Sequence, residues 1–157
     1  LGVHKFSNGK FGMQKLARPI FGIIIGLMVS TASNAANKND IVGVWVDQAG
    51  DGLIEILAQD GKYIGKIASR TRPTGPLRKD IHNPDPVLRT RTLLGLAIMG
   101  GLTYQGHDKW TRGWIYDPDN GKTYHCEISL DNINKLAIRG FIGYSLFGET
   151  QTWTRKK

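Results

Sequence analysis

Between residues 41 and 155 apolar side chains recur at every second position, and turn signals interrupt them at short intervals. A period of two puts alternate residues on opposite faces of a pleated strand, whereas an amphipathic helix needs recurrence near 3.6. The pattern predicts strands over 41–47, 53–58, 62–69, 110–116, 122–130, 135–142 and 149–155. Gln59-Asp60-Gly61, Asp117-Pro118-Asp119-Asn120-Gly121 and Asp131-Asn132-Ile133-Asn134 supply tight reversals between them. The apolar run 92–104 reads as an eighth, buried strand kinked at Gly100-Gly101. A helix there is opposed by its glycines, each of which costs about 1 kcal/mol relative to Ala.

Eight consecutive antiparallel strands in so short a chain have few ways to satisfy their edges. The expected fold is all-β, a single antiparallel barrel of roughly eight strands, because closure removes the edges altogether. A two-sheet sandwich is the alternative. Gly43, Gly65, Gly113, Gly140 and Gly143 lie within strands and suit tight curvature. Residues 70–91 carry Pro73, Pro76, Pro84 and Pro86 together with Arg70, Arg72, Arg78, Lys79, Arg89 and Arg91, and read as a long irregular connection.

The N-terminal part has a different composition. Lys15 and Arg18 precede an apolar run over 20–29, followed by small residues ending at Ser33-Asn34-Ala35. That is the anatomy of a secretory signal peptide, and the run is too short to span a bilayer. The expected organisation is an upstream, mis-assigned start over 1–12, a signal peptide over 13–35 cleaved near Ala35, and a β-barrel domain over 36–157, working in the periplasm or outside the cell. No Cys follows the apolar run, which argues against a lipid-modified N-terminus. Four of the 21 Lys and Arg precede Ala36, leaving 17 against 13 acidic residues, so the chain's formal +8 falls to +4. That excess is too sparse, and too poor in interleaved aromatics, for a nucleic-acid-binding stripe. Cys126 is the sole cysteine, so no intramolecular disulfide forms. It shares a strand face with Tyr124, Ile128 and Leu130 and reads as a small buried hydrophobe.

Several segments together resemble a known family. They are Gly43-Val44-Trp45, Asn83-Pro84-Asp85-Pro86, the run from Gly113-Trp114-Ile115 to Gly121-Lys122-Thr123-Tyr124, Arg139-Gly140-Phe141-Ile142-Gly143 and Gln151-Thr152-Trp153-Thr154-Arg155. The combination is similar to the bacterial exported family called domain of unknown function 2147. The resemblance implies a lipocalin-like, calycin-type barrel and a periplasmic or secreted location, and it carries over no catalytic residue. Gly-x-Trp on the first strand with a basic residue on the last is also similar to the lipocalin and avidin superfamily. On that pattern Gly43, Trp45 and Arg155 are expected to close one end, with the guanidinium over the indole gaining about 0.5–2 kcal/mol.

Chemistry-bearing residues are few. Asp80, His82, Asn83 and Asp85 form the densest polar group. His82 with Asp80 or Asp85 would make an acid–base site, and the plainer reading is a set of Asx turns that organise the loop. Asp117 to Gly121 is oxygen-rich but lacks the length and distal glutamate of an EF-hand, so a turn is expected and no metal or cofactor. Strict alternation would put Trp110, Arg112, Trp114 and Tyr116 on one strand face. That face either binds an amphipathic ligand, with the arginine for an anionic head, or simply fills or covers the barrel. The leading expectation is a non-enzymatic binder of a small amphipathic or apolar molecule. The alternatives are an enzyme using the Asp80/His82/Asp85 loop and a cell-envelope interaction module using the basic loop 70–91.

Overall fold

The computed structural model describes residues 37–70 and 77–157. The expected signal peptide and the residues before it, together with Arg72, Pro73 and Pro76 of the long loop, lie outside the described residues. Eight antiparallel strands form one closed barrel in sequence order: β1 (Gly43–Val46), β2 (Gly52–Gln59), β3 (Lys62–Arg70), β4 (Ala97–Gly106), β5 (Lys109–Asp117), β6 (Lys122–Asn132), β7 (Lys135–Phe141) and β8 (Gly148–Arg155). Asp60-Gly61 and His107-Asp108 turn their hairpins with both residues at positive φ, the geometry that matches the right-handed twist of paired strands.

Pairing register and burial together assign the faces. Trp45, Ile54, Ile56, Tyr63, Met99, Leu102, Trp110, Cys126, Ile128, Leu136, Ile138 and Trp153 form the core inside the cylinder. The sequence expectation of a strand over 92–104 is corrected at its start. β4 begins at Ala97, and the preceding residues make a turn in which Leu96 N–H donates to Leu93 O and Gly95 N–H to Ile67 O. The kink does fall at Gly101, whose φ is 72°. Helical structure among the described residues is limited to two 3-10 turns, Pro86–Thr90 and Ser145–Phe147.

Closure depends on one short seam. β1 and β8 pair only at Trp45–Arg155 and Val46–Thr154, with Lys156 N–H adding a hydrogen bond to Val44 O. Arg155 reinforces this seam with its side chain. Its guanidinium carbon stands 4.2 Å from the Trp45 ring centroid. Its nitrogens donate to Val42 O at 3.0 Å, to Ile133 O at 2.6 Å and to Asp40 O. Gly43, at φ 136°, leaves room for this arrangement, because a Cβ there would lie 2.7 Å from Arg155 Nη1. The same end is plugged by residues 37–42. Trp45 Nε1 donates to Ile41 O, Trp110 Nε1 to Lys38 O and the Tyr63 hydroxyl to Asn39 Oδ1. Four strands therefore grip the entering chain, and the barrel has one closed end.

The opposite end is open to loops: the β1–β2 turn, the long β3–β4 connection, the β5–β6 turn and the β7–β8 connection. Removing the Arg155 fork strands three backbone carbonyls, so Arg155→Ala is expected to lower unfolding free energy by about 2–3 kcal/mol. In a double-mutant cycle with Trp45→Leu, chemical denaturation is expected to give a coupling of about 0.5–2 kcal/mol. Zero coupling would separate the guanidinium–indole contact from closure.

Candidate functional site

The sequence-predicted aromatic face of β5 is divided. Trp110 pairs with Ile128, and Gly113 pairs with Cys126, so two residues of β5 oppose Glu127 alone. This bulge holds Arg112 at φ 65°, a left-handed conformation that costs a residue with a Cβ about 1–2 kcal/mol. Beyond it the alternation is reversed. Trp110 faces inward and is fully buried at the closed end, against Tyr63 and Tyr104. Arg112 and Trp114 face outward and are exposed. Tyr116 also lies on the outward side yet is buried, because the β3–β4 connection covers it. The expectation that Trp110, Arg112, Trp114 and Tyr116 share one face is thus corrected, and the physical reason is one extra residue in the strand.

What covers Tyr116 is a polar clamp. Asp80 has no accessible surface. Its carboxylate accepts from the Tyr116 hydroxyl at 2.5 Å, from Asn83 Nδ2 at 2.7 Å and from Arg91 Nε at 2.9 Å, and Arg91 Nη2 completes a 2.7 Å ion pair. Asn83 Nδ2 also reaches the Tyr116 hydroxyl at 3.2 Å. Burial by itself would raise the Asp80 pKa. The hydrogen bonds from Tyr116, Asn83 and Arg91, with the Arg91 charge, outweigh it and hold the group below its ordinary 3.8. Tyr116 moves the other way, raised by burial and by donating to that carboxylate. Gly121, at φ 72°, completes the docking, since a Cβ there would fall 1.9 Å from His82 O.

The other loop candidates are held apart. Asp85 accepts from Val87 N–H and caps the Pro86–Thr90 turn. Asn83 Oδ1 accepts from Asp85 N–H, an Asx turn. His82 is exposed, and no hydrogen bond joins it to Asp80 or Asp85. The basic loop is largely engaged internally: Arg78 pairs with Asp119, Arg91 with Asp80, and Arg89 Nε donates to Asn83 O. Among the described residues no three His, Cys, Asp or Glu side chains gather as a metal cluster, and no helix is long and apolar enough to cross a membrane. Cys126 is buried in the wall and its thiol is pushed up to about 12, chiefly by burial and then by the Glu127 charge.

Two regions remain. One is the inward face toward the loop-bearing end, where Ile67, Ile115, Tyr124 and Gly140 are half-buried beside Met99, Cys126 and Ile138. The other is a depression of about 260 Å³ on the outer wall, bounded by the Arg112 bulge and by Phe141 and Gly143, with His125 and Glu127 between them.

Residues 43–155 match the family model described as an uncharacterized protein conserved in bacteria (DUF2147). The chain belongs to this family. In this DUF2147 chain Asn83 reaches the Tyr116 hydroxyl and the His82–Asn83 backbone lies against Gly121, so residues from two separate segments of the match meet at the loop clamp. Among solved structures the chain is similar to one described as "Protein HP1028 from the human pathogen Helicobacter pylori belongs to the lipocalin family". The TM-score is 0.67 and the identity 24%, covering 74% of this chain and 82% of that one. At this identity the likeness shows the fold, an eight-stranded lipocalin-like barrel. No curated protein matches the chain.

Because the folded Asp80 pKa lies below the unfolded one, its contribution is complete above pH 3.8 and is lost as pH falls through the folded value. Tyr116→Phe removes one donor and is expected to cost about 1–2 kcal/mol at neutral pH. Its acid-unfolding limb, followed by circular dichroism, should begin at a higher pH than in the wild type. Asp80→Asn should lose this part of the pH dependence. The Cys126 thiol should stay unreactive toward a disulfide reagent at pH 8 until the protein is unfolded.

Proposed function

We infer that the protein holds a small apolar or amphipathic molecule at the open end of its barrel. The observation that carries this reading is where the interior stays accessible. Trp45, Leu102, Trp110 and Leu136 in the closed half have no accessible surface, whereas Ile67, Ile115 and Tyr124 at the mouth are only half-buried. Water on inward-facing apolar surface is unfavourable by about 25 cal/mol per Å², which an apolar guest would recover. The Tyr124 hydroxyl, which accepts from Asn120 Nδ2 at 3.0 Å, stands toward that end to orient a polar group. Since packed side chains fill the lower lumen, the guest sits shallowly and is small. The lipocalin-like architecture supports a binding role over catalysis, and the signal-peptide pattern before Ala36 supports a workplace outside the cytoplasm.

A Cβ at Gly140 would come 3.6 Å from Ile115 Cγ2 and 3.8 Å from Tyr124 Cβ, ordinary contact distances. Gly140→Val should therefore plug the mouth and leave the barrel folded. Fluorescence titration with N-phenyl-1-naphthylamine is expected to show at least tenfold weaker binding in that variant at an unchanged melting temperature. Equal affinity in the two proteins, or no binding by either, would overturn the mouth as the site. Sequencing of the protein recovered from its host should place the mature N-terminus at Ala36, in an extracytoplasmic fraction.

A further inference from the structure

The outer-wall depression differs from the mouth in chemistry as well as place. β5 and β6 place Trp114 beside His125, and β6 and β7 place His125 beside Phe141, making an outward cross-strand row of three rings. The His125 and Phe141 ring centroids are 5.5 Å apart with an interplanar angle of 34°. Below this row Arg112, in the β5 bulge, lines the depression. Among the described residues the Arg112 guanidinium has no hydrogen-bond or ion-pair partner. An arginine kept in a left-handed backbone conformation, with no internal partner to hold it there, is strain without a structural return. Bulges of this kind commonly re-aim a side chain at a site.

The far rim is built, not slack. Arg139 fixes the β7–β8 connection through Ser145 O, Leu146 O and Thr150 Oγ1, and Glu127 Oε2 accepts from the Ser145 hydroxyl at 3.3 Å. That connection presents Tyr144 at 81% exposure and Phe147 at 76%, which extends the apolar surface beyond the rings. We propose that this depression is a second binding site, for a small monocarboxylate with an aromatic or aliphatic body. The carboxylate pairs with Arg112 in the forked geometry a guanidinium offers, and the body lies on the His125 and Phe141 rings. Glu127 lines the same depression, so the ligand's carboxylate has to lie nearer Arg112 than Glu127. At about 260 Å³ the depression falls below the roughly 300–1,000 Å³ of drug-sized sites, so the ligand is small or leaves its tail on the Tyr144–Phe147 surface.

The test is NMR titration of ¹⁵N-labelled protein with 3-phenylpropionate and 3-phenylpropanol. The acid should shift amides at 111–113, 125–127 and 141–143, and should bind at least tenfold more tightly than the alcohol. Arg112→Gln should weaken the acid at least tenfold, whereas Gly140→Val should not change it, which separates this site from the mouth. Arg112→Gly relieves the strained backbone and should raise the melting temperature while losing the acid, an outcome a purely structural arginine would not give. The proposal is overturned by any of three results: no shift with millimolar acid, equal binding of acid and alcohol, or shifts confined to the mouth residues 67, 115 and 124.

Discussion

Two backbone partnerships, Trp45–Arg155 and Val46–Thr154, turn a curved sheet into a cylinder. Such a short seam could not resist fraying by hydrogen bonds alone. The guanidinium of Arg155 makes it hold, because it lies over the Trp45 indole and ties together Asp40, Val42 and Ile133 through their carbonyls. Once the seam is shut, β1 and β8 cease to be edges, the inward faces bury one another, and the entering residues 37–42 become a plug. The closed end is therefore rigid by construction. The opposite end is free to carry loops whose packing is settled by other means.

The chief of those means is the buried carboxylate of Asp80. It binds the long β3–β4 connection to the outside of β5 through Tyr116 and carries its own counter-charge in Arg91. Residues from two separate segments of the DUF2147 match, Asn83 and Tyr116, thus serve the architecture of the rim. Among the described residues the clamp lies against the outer side of β5, and the outer wall beside Arg112 is left available for chemistry of its own.

Much of the barrel was legible in the residues because the turns announce themselves. Asp60-Gly61 and the Asp117 to Gly121 run set register locally, and alternation then carries along each hairpin. Gly43, Trp45 and Arg155 were legible through their positions at the two chain ends of the pattern. The site was less so. Alternation counts residues in twos, and the bulge at Arg112 inserts one without any obligatory glycine or proline at that position, so Trp114 and Tyr116 emerge on the side opposite to Trp110. The nearest hint was Gly113, where a Cβ would lie 2.5 Å from Leu102 Cγ. The Asp80–Tyr116 bond was hidden for another reason: 36 residues separate its ends, and no local pattern encodes a side chain's partner at that range. The run 92–96 was misjudged because apolar residues under a loop and apolar residues in a strand have the same composition.

The pairing of the first strand with the last also sets a timetable for the nascent polypeptide. Residues 43–46 are the first of the eight strands to emerge, yet their final neighbour is not made until synthesis has reached Arg155 in the last strand. Through that interval β1 has β2 on one side and a row of unpaired amides and carbonyls on the other. Contacts so distant in sequence slow folding, and an unpaired strand invites pairing with other molecules. The barrel that ends with no edges must therefore pass through a stage in which one is exposed, and dilution or a holding chaperone during that stage decides how much of the polypeptide arrives intact.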